Sequence, residues 1–414
     1  MEVHNLMTIN PDDKVNDDLN TIERVIGASR VVALGESSHF VDEFWKVRQR
    51  IFRYLYEHGG FNVFAMEFGF SEGFQLAKWI KGEGELNKLE EYSQAAAKWG
   101  AAKTMKWLRQ FNLENGSDIQ FAGIDIPEAG GTIMPALEPV YEYTLKVDPQ
   151  VGETLKSVLG LGGHLSSLSS AKSIIKWNAL SKNDQDKLYA TLNRIYLRFK
   201  AFESEYVPLT NQYSFDVAIR QLESAIHTIY ILQAMSEMTT GTGFPTDMSI
   251  REYFMANSII WHLNHLEPNS RIVLFSHNNH IQRTPVKYGD YLTAYPMGYY
   301  LNKYLRDKYC PIGITTTDNH TPDMDLDSNS PVGFNVVDKM LEKPIEGSFE
   351  NELVKNKYDK NASFTDLKNE NNKSELEKIN CIRSQSAYVT TKIDEAFDGI
   401  ISLPKITLDE TIGF

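Results

Sequence analysis

The chain has 414 residues, which allows one large domain or two to three ordinary ones, and its 42% hydrophobic and 23% charged residues are typical of a soluble globular protein. It carries 42 Lys and Arg against 55 Asp and Glu, a formal net charge of −13. Because no basic block offers a face for phosphate groups, we expect no nucleic-acid partner.

Short runs rich in apolar and β-branched residues predict strands that are buried on both faces. In chain order they are 30–34, 62–67, 119–125, 271–276 and 312–317. Helix-like stretches at 43–57 and 103–114 separate the first three runs. This alternation predicts an α/β fold with a mostly parallel central sheet flanked by helices.

The strand signal disappears between about residue 135 and residue 266, where long helical stretches take its place. These are 184–203, 215–238 and 248–263. We therefore predict a large helical insertion at 135–266 that caps an active-site cleft, between a first part of the α/β core at 1–134 and a second part with the C-terminal region at 267–414.

Two glycine-containing segments should interrupt these helices: 160–164 (GLGGH) and 239–247 (TTGTGFPTD). Further on, 349–380 is dense in Glu, Lys, Asn and Asp and shows no clear apolar face. We interpret this last segment as a solvated helix or loop.

Polar residues follow four of the predicted strands, at the point where each strand ends. Glu36 and His39 follow the first, Glu67 ends the second, Asp125 ends the third, and 276–280 (SHNNH) follows the fourth. Open α/β sheets bind ligands outside the carboxyl ends of their strands. We therefore predict one shared site that contains these carboxylates and up to three imidazoles.

His39 is the candidate base in this site. It precedes a predicted helix, with Glu36 three residues before it and Glu43 four residues after it. A neutral imidazole with a carboxylate on one nitrogen is a competent general base for water. The alternative is a histidine that only caps the helix.

His277 and His280 form an H-x-x-H just after a strand. With Glu36 and His39 they have the side chains that bind zinc or another divalent ion. The sequence has no metal motif with a specific spacing, such as H-E-x-x-H, so metal binding stays an alternative.

Residues 69–73 read GFSEG, a G-x-S-x-G that can mark a nucleophile elbow with Ser71 as the nucleophile. The upstream HGG at 58–60 imitates an esterase oxyanion loop, but only one strand separates it from Ser71. The segment fits a helix end better, with Gly59 or Gly60 as the C-cap. Ser71 also lacks an obvious acid partner, which disfavours it as the nucleophile.

The cysteines and the N-terminal residues indicate the cellular compartment of the protein. Cys310 and Cys381 are too few and too far apart for a disulfide framework or a cysteine zinc site. The N-terminal residues are polar and acidic, unlike a signal or transit peptide, and no apolar run is long enough to cross a membrane. We predict a cytoplasmic protein without a membrane partner.

Several sequence blocks are spread in order over nearly the whole chain. They are VVALGESSHFVDEFWKVRQRIFRYL (31–55), FNVFAMEFG (61–69), FAGIDIP (121–127), SIREYFMA (249–256), LFSHNNHIQRTPV (274–286), TAYPMG (293–298), SPVGFNVV (330–337) and CIRSQSAYVTTKIDEAFDGII (381–401). In these blocks the sequence resembles the erythromycin esterases, a family that inactivates macrolide antibiotics.

The resemblance implies an α/β core with a helical portion over the active-site cleft, and water as the nucleophile. Five residues match the family's catalytic positions: His39 as general base, Glu36 of the same G-E-x-x-H motif, Arg48, Glu67 and His280. His277 and Ser71 fall outside the family pattern. Either glutamate can orient the imidazoles, and Arg48, a protonated His280 or a backbone N–H can stabilise the oxyanion.

The implied function is hydrolysis of the macrolactone ester of 14-membered macrolides such as erythromycin, which confers macrolide resistance. The implied partners are the macrolide and water, with no cofactor and no metal. We expect Met, Phe, Tyr and Trp side chains of the helical portion to contact the apolar macrocycle, although the sequence assigns none of them. Two alternatives stay open: a metal-dependent hydrolase using Glu36, His39, Glu67 and His280, and a non-catalytic relative that binds haem or iron.

Overall fold

The computed structural model describes all 414 residues. The strands are β1 His4–Asn5, β2 Val31–Leu34, β3 Phe61–Gly69, β4 Gln120–Asp125, β5 Arg271–Phe275, β6 Val286–Tyr288, β7 Tyr291–Ala294, β8 Tyr309–Thr316, β9 His320–Leu326, β10 Phe334–Met340, β11 Ser363–Asp366, β12 Cys381–Ser384, β13 Ala387–Thr390 and β14 Gly399–Leu403.

The α-helices cover both faces of the main sheet and fill the segment between β4 and β5. They are α1 Asn20–Ile26, α2 Asp42–Gly59, α3 Phe70–Ile80, α4 Leu89–Tyr92, α5 Gln94–Lys98, α6 Ala102–Asn115, α7 Met134–Val147, α8 Pro149–Leu165, α9 Ser170–Ala179, α10 Lys182–Ala201, α11 Glu203–Tyr206, α12 Gln212–Thr240, α13 Ser249–His265, α14 Asn278–Ile281, α15 Met297–Leu305, α16 Phe349–Lys355, α17 Lys373–Leu376 and α18 Ile393–Ala396. None of these helices combines the length and the apolar character needed to cross a lipid bilayer.

The main sheet has eight strands in the order β1-β11-β14-β8-β2-β5-β3-β4. The six strands from β14 to β4 run parallel, and β11 pairs antiparallel with β1 and β14. The prediction of an α/β fold with a mostly parallel central sheet is confirmed. Three two-stranded antiparallel ribbons, β6–β7, β9–β10 and β12–β13, complete the strands.

The central strands are apolar throughout because both of their faces are covered. In β2 the side chains of Val32 and Leu34 belong to the hydrophobic core on one face, whereas Val31 and Ala33 belong to the core on the other. This burial explains why the strand reads as a continuous apolar run rather than an alternating one. All five predicted strands correspond to observed ones, namely β2, β3, β4, β5 and β8.

The segment from α7 to α12 is entirely helical and has its own hydrophobic core of 22 buried residues. The predicted break at GLGGH is wrong, because α8 continues through these glycines to Leu165. Gly162 lies where α8 packs closely on the preceding helix: a Cβ there would lie 3.2 Å from Ile133 and from Leu137. The break predicted at 239–247 is confirmed, since α12 ends at Thr240 and α13 begins at Ser249.

The interpretation of 349–380 as a solvated helix or loop is wrong. Strand β11 lies inside the main sheet between β1 and β14, and Phe364 on it is fully buried. Phe349 and Leu353 of α16 also pack into the core. Only a few apolar side chains anchor these short elements, and exposed polar residues separate them, so the sequence shows no continuous apolar face.

Candidate active site

The strands that carry the predicted site residues are neighbours in the sheet. β2, β5, β3 and β4 are adjacent and parallel, so their carboxyl ends meet at one edge. A cleft of about 450 Å³ opens there. All five residues predicted to be catalytic line it: Glu36, His39, Arg48, Glu67 and His280.

The loop after β2 is held in place by Asn278 at the start of α14. The Asn278 side chain binds both the amide and the carbonyl of Ile314 on β8, at 3.1 and 2.8 Å, and its backbone N–H donates to the Glu36 carbonyl at 2.8 Å. Gly35 is required at this crossing, because a Cβ there would lie 1.9 Å from Asn278 Oδ1. The glutamate and histidine that follow are thereby tied to the sheet edge.

His39 is followed by a residue with a strained backbone. Phe40 has φ 66°, in the left-handed region that non-glycine residues rarely adopt, and strain of this kind clusters at functional sites. Its ring is buried against Trp99 and Phe414, which over-determines the conformation. The alternative of a capping histidine is wrong, because Val41 is the N-cap of α2 and no side chain caps it.

Glu36 contacts both His39 and Arg48. Its Oε1 contacts His39 Nδ1 at 2.7 Å, and its Oε2 accepts from Arg48 Nη2 at 2.6 Å. Burial disfavours the Glu36 carboxylate, but Arg48 and His39 outweigh burial and lower the pKa of Glu36. Burial likewise opposes protonation of His39, but the hydrogen bond and charge of Glu36 raise the pKa of His39 above its ordinary value. Glu43 does not contact His39 and instead binds Thr407.

Glu67 is surrounded by donors and cations. Its Oε2 accepts from the Ser276 hydroxyl at 2.6 Å and from the His277 backbone N–H at 3.1 Å, and its Oε1 lies 3.1 Å from His280 Nε2. Arg251 Nη2 approaches the same oxygen at 3.3 Å. Burial would raise the pKa of Glu67, yet these cations hold it well below the ordinary value. Glu67 is therefore ionised.

His280 lies between two carboxylates. Its Nδ1 contacts Glu252 Oε1 at 2.6 Å on the side opposite Glu67, and Glu252 is itself fixed by the Met297 backbone N–H at 2.9 Å. Burial disfavours the imidazolium, but the two carboxylates raise the pKa of His280 well above its ordinary value. His280 is a cation with both ring nitrogens in use.

His277, which the resemblance excludes, lies inside the cluster. Its ring centroid is 5.0 Å from that of His39. Its Nε2 contacts the Ser37 carbonyl at 3.2 Å and its Nδ1 accepts from the Asn279 backbone N–H at 3.1 Å. Burial, together with the charges of His39 and His280, lowers the pKa of His277 to about 3, so this ring is neutral.

The sequence analysis did not identify Arg251 and Glu252 as site residues. Arg251 lines the cleft and forms a two-pronged ion pair with Asp125, which is fully buried at the end of β4. Glu252 holds His280. Both lie in the SIREYFMA block. Asp125 ends a buried strand, so its carboxylate could have indicated that a cationic side chain lies beside it.

Only one imidazole nitrogen in the cluster is free to act on a ligand. His39, His277 and His280 have six ring nitrogens, and protein groups occupy one on His39 and two on each of the others. The remaining nitrogen, His39 Nε2, belongs to a side chain that is 30% exposed and lines the cleft. This geometry makes His39 the group able to accept a proton from water.

Ser71 is a buried structural residue in α3, and neither the cleft nor a histidine contacts it. Its Oγ lies 3.4 Å from Ser224 Oγ. The glycines of the GFSEG segment are explained by packing: a Cβ on Gly73 would lie 2.7 Å from the Gly123 nitrogen, and one on Gly69 would strike the Glu72 carboxylate. The motif therefore reflects close packing of α3 on β4. The predicted C-cap upstream is confirmed at Gly60, which has φ 67°.

Replacing Ser71 with alanine is expected to leave kcat within about twofold of wild type, because a buried small hydroxyl contributes only about 1 kcal/mol to stability. Activity assays test the expected kcat, and labelling of the same preparation with a serine-directed phosphonate tests whether Ser71 is a nucleophile. Loss of activity in a folded Ser71→Ala protein, or labelling of Ser71, would contradict the assignment.

The side chains of the cleft do not form a metal site. No group of three or more His, Cys, Asp and Glu side chains has an arrangement that could hold a metal ion. Glu36, Glu67 and His280 instead pair with protein cations and carboxylates. Three of the four donors of the metal-dependent alternative are therefore already committed to protein partners, and only His39 keeps a free nitrogen.

The apolar wall of the cleft does not come from the helical segment, so that expectation is wrong. The helical segment contributes Ser169, Ser170, Ala171 and Arg251, none of which is a large apolar side chain. The large apolar side chains come from the core and from the β9–β10 ribbon: Phe40, Trp45, Met66, Phe68, Trp99, Phe275, Met324, Leu326 and Phe334. A larger cavity of about 910 Å³ between α3, α7 and α12 contains no histidine, whereas the predicted catalytic residues all line the smaller cleft.

The fold is that of an α/β enzyme, and its cleft places an imidazole with a free nitrogen beside a buried carboxylate, an arrangement suited to hydrolysis. The family model described as Erythromycin esterase matches residues 56–406. The chain therefore belongs to the erythromycin esterase family and is an ester-hydrolysing enzyme.

Individual relatives are similar to this chain over nearly its whole length. Erythromycin esterase type II from Escherichia coli is 31% identical over 408 residues, which cover 97% of this chain and 95% of that protein. Type I from the same organism is 30% identical and covers 96% of each chain. A solved structure of a variant of the erythromycin esterase EreC in its open conformation is similar over 100% of both chains, with a TM-score of 0.93 and 26% identity. These relatives do not support the alternative of a haem- or iron-binding protein.

Proposed function

We propose that the protein opens the macrolactone ester of 14-membered macrolides such as erythromycin by means of water activated at His39. One observation carries the proposal. The Nε2 of His39 faces the cleft without a protein partner, while Nδ1 is held by the buried carboxylate of Glu36. Relatives named for erythromycin hydrolysis support the choice of substrate.

The reaction begins when His39 Nε2 takes a proton from water as the water oxygen bonds to the lactone carbonyl carbon. Glu36 holds Nδ1–H and stabilises the imidazolium that forms. The tetrahedral oxyanion then collapses, the ester C–O bond breaks, and His39 returns the proton to the leaving alkoxide. The product is a linear hydroxy acid that no longer presents the shape of the macrocycle.

The cleft and the charge of the whole chain match two chemical features of the substrate. Aromatic rings and Met side chains along its wall suit an apolar macrocycle. The amino sugar of macrolides is a protonated dimethylamine, and the cleft carboxylates of Glu36 and Glu67 are already paired with Arg48 and His280, so attraction of this cation rests on the charge of the whole chain. The whole chain carries a formal charge of −13, which favours the approach of a cation.

Mass spectrometry of erythromycin incubated with the protein tests the function. We expect the antibiotic to gain one water, and a reaction in water enriched in heavy oxygen should place one heavy atom in the new carboxylate. Erythromycin that keeps its mass, or gains a group other than water, would contradict lactone hydrolysis.

The pH dependence of kcat/KM reports the pKa of the base. His39 must be neutral to accept a proton, so kcat/KM should fall as pH drops through its raised pKa, at a midpoint above the ordinary histidine value of 6.5. Glu36→Gln removes the charge that raises this pKa, while burial, which lowers it, remains. The variant should therefore show a lower midpoint together with a lower plateau, because a less basic imidazole is a weaker base.

A pH series of initial rates for wild type and Glu36→Gln gives both quantities. Glu43→Gln is the control, since Glu43 lies nearby in the first turn of α2 but binds Thr407 instead of His39. An unchanged midpoint in Glu36→Gln would remove Glu36 from the role of orienting carboxylate.

We also propose the three-part organisation: core segments at 1–134 and 267–414 with a helical segment at 135–266 that caps the cleft. The contact of Ser169, Ser170 and Ala171 with the cleft supports the capping position. A cytoplasmic location and the absence of a nucleic-acid partner remain predictions from composition.

A further inference from the structure

Hydrolysis of a lactone places a negative charge on the carbonyl oxygen, and a donor near this oxygen lowers the barrier. The cleft holds three cationic side chains besides the base: Arg48, Arg251 and His280. They differ in how many N–H groups remain free once their protein partners are counted.

His280 has no N–H group to offer. Its Nδ1 contacts Glu252 at 2.6 Å and its Nε2 contacts Glu67 at 3.1 Å. A lactone oxyanion would have to displace one of two buried carboxylates. His280 therefore acts on the reaction through Glu67 rather than through the oxyanion.

Arg48 is enclosed by its neighbours. Its Nε donates to the Phe44 carbonyl at 3.2 Å and its Nη2 donates to Glu36 at 2.6 Å. Its Nη1 has no protein partner, like that of Arg251, but the guanidinium lies over the rings of Trp45 and Phe275 and the side chain is only 1% exposed. Its charge is committed to Glu36, the carboxylate that orients the base.

Arg251 is held firmly and keeps one end free. Its Nε donates to Asp125 Oδ1 at 2.9 Å, and Nη2 binds Asp125 Oδ2 and approaches Glu67. Its Nη1 has no partner in the protein, and the side chain is 18% exposed in the cleft wall. A guanidinium fixed along one edge and free at the other is preorganised for a planar oxygen ligand.

We propose that Arg251 is the catalytic residue that donates to the oxyanion through Nη1. The inference rests on the proposed lactone hydrolysis. As the water oxygen bonds to the carbonyl carbon, the C=O π pair moves to the oxygen and the Nη1 hydrogen bond stabilises it. No proton leaves Arg251. When the pair returns to re-form C=O, the ester C–O bond breaks and the proton from His39 goes to the alkoxide.

The position of Asp125 explains why this arginine is so well fixed. Asp125 is fully buried at the end of β4, and without Arg251 it would be an uncompensated charge. Asp125 thus acts as the positioning residue for Arg251. The same burial means that a change at Arg251 can affect folding, so the test needs a matched buried pair elsewhere.

The chain supplies that control in Arg283 and Asp398. Arg283 donates to Asp398 Oδ1 at 2.9 Å and also binds its second oxygen, and Asp398 is 1% exposed, as in the Arg251 pair. Arg283 does not line the cleft. Arg251→Gln and Arg283→Gln therefore each remove an arginine from a buried aspartate, inside and outside the site, although Asp398 keeps Lys368 at 2.6 Å.

In Arg251→Gln we expect kcat for erythromycin to fall about 10²–10³-fold per folded molecule, the loss typical of one oxyanion donor, with KM changed less than about threefold. The midpoint of the acidic limb of the pH profile should remain at the wild-type value, because it reports the pKa of His39. Arg283→Gln should lose thermal stability and keep its kcat. If Arg251→Gln does not fold, Arg251→Lys replaces it and should lose roughly tenfold or more, because one ammonium cannot serve Asp125 and the oxyanion together.

A kcat within threefold of wild type, a loss confined to KM, or a loss explained by a shifted acidic limb would each overturn the proposal. The wild-type protein in the same assay separates this failure from failure of the proposed function. If wild type adds water to erythromycin and Arg251→Gln keeps its kcat, lactone hydrolysis stands and the oxyanion donor is another group.

Discussion

His39→Asn is expected to lower kcat by about 10²–10⁴-fold, the contribution of a well-placed acid–base group, while the protein stays folded. The reason is that His39 Nε2 is the one imidazole nitrogen of the cluster that is free to accept a proton. The side chain is 30% exposed and has no role in either core, so its loss should cost little stability. Asparagine can still donate to Glu36, which keeps that carboxylate satisfied.

The measurement is kcat at saturating erythromycin together with the thermal midpoint of the same preparation. His58→Asn provides the control, because His58 is 50% exposed at the end of α2 and far from the cleft in its contacts. Near-normal kcat in folded His39→Asn would contradict the role of His39 as the base that activates water. Equal losses of kcat in His39→Asn and His58→Asn would indicate a general effect of changing α2 or the loop before it.

Much of the site could be predicted because of the way a parallel sheet is built. Strands covered on both faces must be apolar, so the point where such a run turns polar marks its carboxyl end. Glu36, Glu67 and His280 each follow such a point, on strands that turn out to be adjacent. Parallel neighbours bring these ends to one edge regardless of their distance in the sequence, and the resemblance added Arg48.

The rest depends on tertiary contacts that leave no local pattern. Arg251 and Glu252 lie on α13, and only the packing of this helix beside β4 and α15 shows that one faces Asp125 and the other His280. His277 was set aside because it departs from the resemblance, although its burial beside His39 is a property of the loop after β5. The β9–β10 ribbon forms a wall of the cleft through residues that read as ordinary strand positions.

Glu67→Gln and His280→Asn should each lower kcat by about 10²-fold or more with little change in KM. Glu67 accepts from Ser276 and the His277 N–H and pairs with His280 and Arg251, so its charge organises one side of the cleft. Glutamine keeps the shape but loses the charge, which also removes one of the two carboxylates that keep His280 protonated. The macrocycle is bound by apolar contacts elsewhere, so KM should be nearly unaffected.

The two losses should not add. Because the side chains contact each other, either single change already removes their interaction, and coupling energies for such pairs are about 0.5–3 kcal/mol. We expect the double variant to be little worse than the worse single one. Asp216→Asn and His265→Asn form the matched control cycle, since His265 Nε2 lies 2.9 Å from Asp216 outside the cleft and that pair should affect only stability.

Thermal midpoints and kcat per folded molecule, measured on wild type, both single variants and the double variant, decide between catalysis and structure. A structural role predicts a lower midpoint in each single variant with unchanged kcat in the surviving folded fraction, as in the control cycle. A role in the reaction predicts a large loss of kcat per folded molecule in both single variants, and in Glu67→Gln the midpoint should change little, because Glu252 still pairs with His280 and Arg251 still pairs with Asp125. Unimpaired kcat in either folded single variant would remove that residue from the site, and full additivity of the two losses would show that Glu67 and His280 act independently.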